Sequence, residues 1–432
     1  MRRRLILRHN RMSLAKTSLL NGVAVVIKVV SGLLLNKIFA VYVGPAGYAV
    51  VGQFQNAVTI IVSLAGGVFS TGVTKATAQH FDDESRQHTV WKTAFRFSLV
   101  ASLVAGVFLL LFGSRLSELL LHRGDMSGVF IWLALALPAM AANNLLLAVV
   151  NGKKELAIYV SANILGSLIS LLVAGLLVYN FGLYGALLAF TINPALTLIA
   201  TAMMVSRKRW FNTKNIWGNM SRPALRELSG FGLMSLTSAM VVPASFMLIR
   251  DLLTNQLGLT ATGYWQASWK ISEIYLMLVT ATLSVYYLPR LAEIRTSTEL
   301  KIEVFKVYRF VMPIVIASAA MIYFFRDPII LFLFSTSFLP MRELFVWQLS
   351  GDVIKIGSWI LAYIMLGRAM IRAFIVTEIW FSLQFVLLSW GLVNQFGLIG
   401  VPMGYVVNYC VYWVVVGYLV KREMKKMRAT DD

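Results

Sequence analysis

Acidic side chains are scarce in this sequence: 19 Asp and Glu stand against 39 Lys and Arg in 432 residues. Charged residues of either sign make up 13% of the chain, about half the share found in water-solvated domains. Water is therefore not its main solvent. A single cysteine, Cys410, excludes a disulfide framework and a cysteine-based metal site. Four histidines, at positions 9, 80, 88 and 122, show no ligand spacing, so no metal is expected. The chain has no G-x-x-x-x-G-K-[ST] phosphate loop, which argues against ATP as a direct fuel. No segment between apolar runs exceeds about 25 residues, so there is no room for the soluble domain of a glycosyltransferase or polymerase. An enzyme is not expected, and neither is a cofactor.

Apolar residues are abundant instead, at 58% with a mean hydropathy of +0.74. They come in runs of about 20, the length a helix needs to cross ~30 Å of hydrocarbon. A transmembrane barrel would show ~10-residue alternating strands, and none is found. The expectation is an all-α integral membrane protein lying in a lipid bilayer. Hydropathy marks twelve spans: 14–41, 47–72, 92–114, 128–150, 157–179, 183–206, 229–251, 264–289, 308–325, 343–366, 372–394 and 399–420. The stretch 328–340 (PIILFLFSTSFLP) is apolar but too short to span, and is expected to lie at one surface or re-enter.

A net charge of +20 would suggest nucleic acid in a soluble protein, but its placement gives a better account. With twelve spans, 29 Lys and Arg fall on the side that holds both termini and 4 on the other. Basic loops stay cytoplasmic during insertion. The expected setting is a bacterial inner membrane with cytoplasmic termini and no nucleic-acid partner. The basic opening up to Arg11 lacks a small-residue cleavage site and reads as an uncleaved signal anchor, with Met12 an alternative start.

The longest loop, 207–228, divides the chain near its middle. Phe181-Gly182-Leu183-Tyr184-Gly185 recurs as Phe396-Gly397-Leu398-Ile399-Gly400, 215 residues on. Gly152-Lys153 and Gly367-Arg368 share that offset, and Ala46-Gly47-Tyr48 and Thr262-Gly263-Tyr264 lie 216 apart. The reading is two parallel six-helix lobes, 1–206 and 229–432, related by a pseudo-two-fold axis along the membrane normal. A ligand path is expected between them.

Ionisable groups inside spans cost about 2.5–3.5 kcal/mol each, so they mark candidate sites. They are Lys28, Lys37, Arg96, Arg250, Asp251, Lys270, Glu273, Asp352, Lys355 and Glu378. Arg96, Lys37, Arg250 and Asp251 lie near span ends, where snorkelling explains them equally well. Lys28 sits mid-span, on one helical stripe with Thr17 and Asn21. Lys37, nine residues further, points the opposite way on a straight helix. Gln266, Lys270 and Glu273 repeat at i, i+4 and i+7, as do Gln348, Asp352 and Lys355 with the charge order inverted. Two pairings are open: Lys270 with Asp352 and Glu273 with Lys355 across neighbouring helices, or closure within each helix at i, i+3. Asp352, Glu273 and Glu378 could carry a coupling proton or form static ion pairs.

Val43-Gly44-Pro45-Ala46-Gly47, Gly72-Val73-Thr74-Lys75, Ser284-Val285-Tyr286-Tyr287-Leu288-Pro289 and above all 342–355 (RELFVWQLSGDVIK) resemble the Wzx-type flippases of bacterial surface polysaccharides. The likeness is strongest to the enterobacterial branch that includes the flippases of enterobacterial common antigen, alongside O-antigen flippases in the wider family, and runs from about Met12 to the end. Such proteins share a superfamily with multidrug and toxic compound extrusion transporters. The resemblance implies an alternating-access transporter moving an undecaprenyl-pyrophosphate-linked oligosaccharide to the periplasmic leaflet. A polysaccharide polymerase and a chain-length regulator are the partners it implies. It places Lys28, Lys37, Arg250, Asp352 and Lys355 in the family's charged pattern, with Glu273 where an acid is expected; Lys270 and Glu378 match nothing in it. A cationic cavity for pyrophosphate and sugar would draw on Lys28, Lys37, Arg250, Lys355 and Asn21, and a charge network on Lys270, Glu273, Asp352, Glu378 and Asp251. The rival readings are a proton- or sodium-coupled drug or metabolite antiporter and a non-transporting scaffold of polysaccharide synthesis.

Overall fold

Within hydrocarbon every backbone N–H and C=O must find a partner in its own segment, which an α-helix achieves. The computed structural model describes residues 14–208, 210–368 and 370–431, with side chains described from Val26 onward except at 213–214, 229–234, 285, 292 and 428–431. Among the described residues there is helix and turn but no strand. In order the helices are α1 (Leu14–Val62), α2 (Phe69–Gln79), α3 (Glu84–Leu121), α4 (Gly128–Gly152), α5 (Leu156–Ser206), α6 (Thr213–Ile216) and α7 (Arg222–Thr282). They continue as α8 (Leu288–Glu293), α9 (Ser297–Phe324), α10 (Arg326–Leu333), α11 (Phe345–Gly367), α12 (Ile371–Phe396) and α13 (Gly400–Asp431). Two π-helical turns, Ser63–Gly67 and Leu283–Tyr287, join α1 to α2 and α7 to α8.

Among the described residues, eight helical stretches are long and apolar enough to cross a membrane. Several are too long for one crossing: the 51 residues of α5 would measure about 77 Å as a straight rod, against ~30 Å of hydrocarbon. Four of the eight break at a glycine with positive φ, namely Gly44 (63°), Gly182 (53°), Gly258 (83°) and Gly397 (60°). L-residues with a side chain avoid this region, and glycine does not. The break is a reversal. A Cβ on Gly185 would sit 1.9 Å from the Leu177 carbonyl oxygen, and one on Gly400 2.4 Å from the Leu392 carbonyl carbon. Eight residues along a straight helix would separate them by ~12 Å. The halves of these four stretches therefore bring the eight to the twelve spans expected from hydropathy.

The repeat is visible in the same contacts. Gly182 and Gly397, Gly185 and Gly400, and their neighbours Leu177 and Leu392 all stand 215 residues apart. Gly152 and Gly367 each end a helix, α4 and α11, and pack against positions 74–77 and 291. One local solution to helix packing was used twice.

The chain divides into two compact units. The first holds the chain up to Asn36, Ile61–Ser117 and Asp125–Leu233; the second holds Lys37–Ile60, Glu118–Gly124 and Met234–Asp432. The units thus exchange short pieces relative to lobes cut at 206 and 229. Lys37–Ile60 clusters with the second unit because its side chains, Tyr48, Gln53 and Asn56 among them, find their partners there. Within the first unit Phe69, Val73, Trp91, Leu145 and Leu228 form a core. Within the second, Leu276, Tyr287, Ile356, Ile360, Phe381 and Tyr412 do so. Exposed side chains along the spans, such as Val104, Leu111, Leu172 and Val414, are apolar, as acyl chains require. The short segment 328–340 is the end of α10 followed by a 3-10 stretch, Thr336–Leu344.

Candidate functional site

In the first unit the informative surface is one side of α1. At about 100° per residue, Val26, Val30 and Leu34 share a stripe, and they are 61%, 48% and 47% exposed. That stripe is wholly apolar. Ser31 and Asn36 are buried on either side of it. Beyond them Lys28 and Gly32 form a second exposed stripe, about 160° around the helix from the first. A Cβ added to Gly32 would meet nothing within 4 Å, so open space adjoins Lys28. Lys28 makes no hydrogen bond or ion pair with a described residue. A mid-span ammonium thus faces away from the apolar stripe and toward open space. Thr17 and Asn21 continue this helix toward its start, but their side chains lie outside those described.

The second unit treats its charges differently. Arg250, 4% exposed, donates from Nε to Gln266 Oε1 at 2.8 Å and from Nη1 to Gln53 Oε1 at 3.3 Å. With its amide turned to suit, Asn56 offers its oxygen to Nη1 at 3.0 Å and Nη2 at 3.3 Å. The guanidinium also lies 5.7 Å from the Trp265 ring. Three carboxamides and a ring therefore hold the charge, and no carboxylate stands within ion-pair distance among the described residues. A planar guanidinium suits this arrangement, since its donors point in several fixed directions. Its neighbour Asp251 faces the turn after α3, where His122 Nε2 lies 2.9 Å from Oδ1, and Asn255 donates to Oδ2.

Asp352 is fully buried on α11 and accepts three hydroxyl hydrogen bonds. Ser272 Oγ donates at 2.6 Å and Tyr275 Oη at 2.9 Å, both from α7, and Tyr405 Oη of α13 donates at 3.0 Å. Gln348, one turn before Asp352, donates to Ser272 Oγ at 3.0 Å. α7 and α11 adjoin, but the cross-helix ion pairs do not form. Lys270 Nζ bonds Glu273 Oε2 of its own helix at 2.8 Å. The physical reason lies in which side of α7 is buried. Ser268, Trp269, Ser272 and Leu276 face the interior, whereas Glu273 is exposed and Lys270 half-buried.

Lys355 enters an aromatic cage. Its Nζ stands 4.7 Å from the Trp359 ring centre, 5.1 Å from Trp269, 5.6 Å from Tyr409 and 5.7 Å from Tyr405. Such contacts stabilise an ammonium by roughly 0.5–2 kcal/mol each, most when desolvated. Asp352, Glu273 and Glu378 act on it only through space. Glu378, on α12, faces Ser238. Of the remaining candidates, Arg96 is exposed and bonds the Gly218 carbonyl and Asn219 Oδ1, as snorkelling requires. Lys37 donates to the Leu331 carbonyl at 2.7 Å and to that of Phe334.

The structure therefore brings Asp352 and Lys355 together with residues that charge counting does not pick out: Ser272, Tyr275, Trp269, Trp359, Tyr405 and Tyr409. Ser272 and Tyr275 at i, i+3, and Tyr405, Tyr409 and Tyr412 at i, i+4 and i+7, were the legible signals. Among the described residues no cluster has the donors for a metal ion.

Residues 25–343 match the family described as polysaccharide biosynthesis protein. The lipid III flippase of Escherichia coli K12 is 34% identical over 404 residues, covering 93% of this chain and 97% of its own length. That of Shigella flexneri matches with the same identity and coverage. Among solved structures, an inward-facing multidrug resistance transporter of the MATE family in the MOP superfamily superposes with a TM-score of 0.79 at 19% identity, covering 94% of this chain and 96% of that one. A MOP superfamily transporter from Pyrococcus furiosus, described as having a binding pocket of reversed polarity, gives 0.70 at 20% identity with 96% of each chain covered. At these identities the structural likeness speaks for the fold.

Proposed function

Because the chain belongs to the polysaccharide biosynthesis protein family, we propose that it is a flippase for an undecaprenyl-pyrophosphate-linked oligosaccharide, as its lipid III flippase relatives are named for a lipid cargo. It moves the head group from the cytoplasmic to the periplasmic leaflet of the inner membrane by alternating access, with both termini cytoplasmic. A polysaccharide polymerase and a chain-length regulator act on what it delivers.

The observation that carries this reading is Lys28. A charge in mid-span is costly unless something compensates it. No described protein group does so, its stripe is separated from the apolar stripe by buried residues, and open space lies beside it at Gly32. A diphosphate entering that open space supplies the missing anion, and charge-assisted hydrogen bonds to it are the strong kind. Lys28 is the first phosphate contact in this proposal.

Complementation of a strain lacking its own flippase tests it. Wild type and Lys28→Arg restore surface polysaccharide, while Lys28→Ala loses about 10–100-fold in transport, the worth of one charged hydrogen bond. A drug or metabolite antiporter would not complement at all, and a scaffold would tolerate Lys28→Ala. Either result refutes the proposal.

A further inference from the structure

Lys37 shares α1 with Lys28 but not its surroundings. Nine residues apart, the two point about 180° away from each other on a continuous helix. The Lys37 ammonium meets the end of α10, donating to the Leu331 carbonyl at 2.7 Å and to the Phe334 carbonyl. The last carbonyls of a helix have no partner within it, and the helix dipole makes that end attractive to a cation. The Ile330 carbonyl is already taken by Phe334 N–H at 2.8 Å. Lys37 serves those of Leu331 and Phe334.

What it holds is a built element. Phe334, Phe338 and Met341 are fully buried and Leu344 nearly so. The Tyr48 ring meets Phe334 at 5.7 Å and Phe338 at 5.8 Å, and the Tyr264 ring meets Phe338 at 6.4 Å. Arg342 Nη1 stands 3.6 Å from Asp327 Oδ2, tying the two ends of the segment to each other. From Leu344 the chain passes directly into α11, and Asp352 and Lys355 follow within its first three turns. All of these residues lie in the second unit.

We propose that Lys37 is a positioning residue rather than a cargo contact: by capping the end of α10 it seats the segment 326–344 against α1 and sets the start of the helix that carries Asp352 and Lys355. Its effect on transport rests on the flippase reading, whereas the seating itself does not.

Met341 provides the reporter. In a Cys410→Ser background, Met341→Cys places one thiol on the buried side of the segment. Purified protein in detergent is treated with a maleimide, and the labelling rate is followed. With Lys37 present the thiol is protected. Lys37→Met raises the rate at least tenfold, and Lys37→Arg, whose guanidinium can donate to the same carbonyls, returns it to within about twofold of the parent. Complementation follows the same order, retained in Lys37→Arg and lost in Lys37→Met. If Lys37→Met fails to accumulate, Lys37→Gln replaces it; its shorter side chain cannot reach both carbonyls, and labelling rises at least threefold. A labelling rate unchanged in the variant measured overturns the proposal, whatever happens to transport. If labelling rises as expected while Lys28→Ala still complements, the seating stands and the flippase reading falls.

Discussion

Lys28 in the first unit and Lys355 in the second are both ammonium groups within apolar spans, in opposite surroundings. Four rings enclose Lys355, and Asp352, one turn away, is saturated by three hydroxyls. Nothing described encloses Lys28, and the adjoining Gly32 leaves space. A buried charge that the protein satisfies itself holds helices together, because removing any partner strands the others. A charge left unsatisfied contributes nothing to that and is explained by something that arrives later. Loss of stability and loss of transport should therefore separate between the two regions.

The most severe test strikes Asp352. Asp352→Leu removes the acceptor shared by Ser272, Tyr275 and Tyr405, and each stranded buried hydroxyl costs about 1–3 kcal/mol. The thermal midpoint of the detergent-solubilised protein should fall by the largest amount of any single change considered. Asp352→Asn keeps an acceptor oxygen and should lose less than half as much. Lys28→Ala should leave the midpoint where it is. If Lys28→Ala destabilises as much as Asp352→Leu does, the two regions are not different in kind.

Trp359 sharpens the contrast at smaller scale. Its ring is the nearest of the four to the Lys355 ammonium, at 4.7 Å, and it is only half-buried. Trp359→Leu keeps apolar bulk while removing the π face, and should cost about 0.5–2 kcal/mol, read as a modest drop in the same midpoint. An equal drop in a variant that also lacks the lysine would assign the ring a packing role alone.

Why the first region is legible from sequence and the second only in part follows from what each depends on. Hydropathy and the positions of Gly44, Gly182, Gly258 and Gly397 suffice for twelve spans, since length and backbone sterics act locally. The Lys28 stripe is likewise a matter of spacing along one helix. Gln348, Asp352 and Lys355 do share a buried or half-buried side of α11, as their spacing implies. On α7, however, the conspicuous charges Lys270 and Glu273 satisfy each other, and the neighbouring helix meets Ser272 and Tyr275 instead. Neutral hydroxyls can be buried cheaply and then turned toward a carboxylate, whereas a lysine would have to be desolvated first. Charge order alone does not reveal that choice. Lys37 was out of reach for a related reason: its partners are main-chain carbonyls nearly 300 residues away, to which no side-chain pattern points.

Another caged base, outside the spans, extends the comparison to water. At the corner formed by α3 and α4, Lys153 Nζ lies 5.5 Å from the Trp91 ring and 5.8 Å from that of Phe81, and the His88 ring is 5.3 Å from Trp91. Burial lowers the His88 pKa below its usual 6.5; Glu84 opposes this, and Lys153 and Lys92 add to it. The unfolded chain therefore binds a proton more readily than the folded one just below that value. Folding stability from this site is complete above about pH 6.5 and is lost as the pH falls. His88 is partly open to solvent, so the effect should be the smallest here, on the order of a degree in the thermal midpoint between pH 7.5 and 5.5. His88→Phe retains the ring contact with Trp91 and should remove that increment while leaving the midpoint at pH 7.5 in place. An unchanged pH slope in His88→Phe would show that His88 is not the group that titrates between folded and unfolded chain.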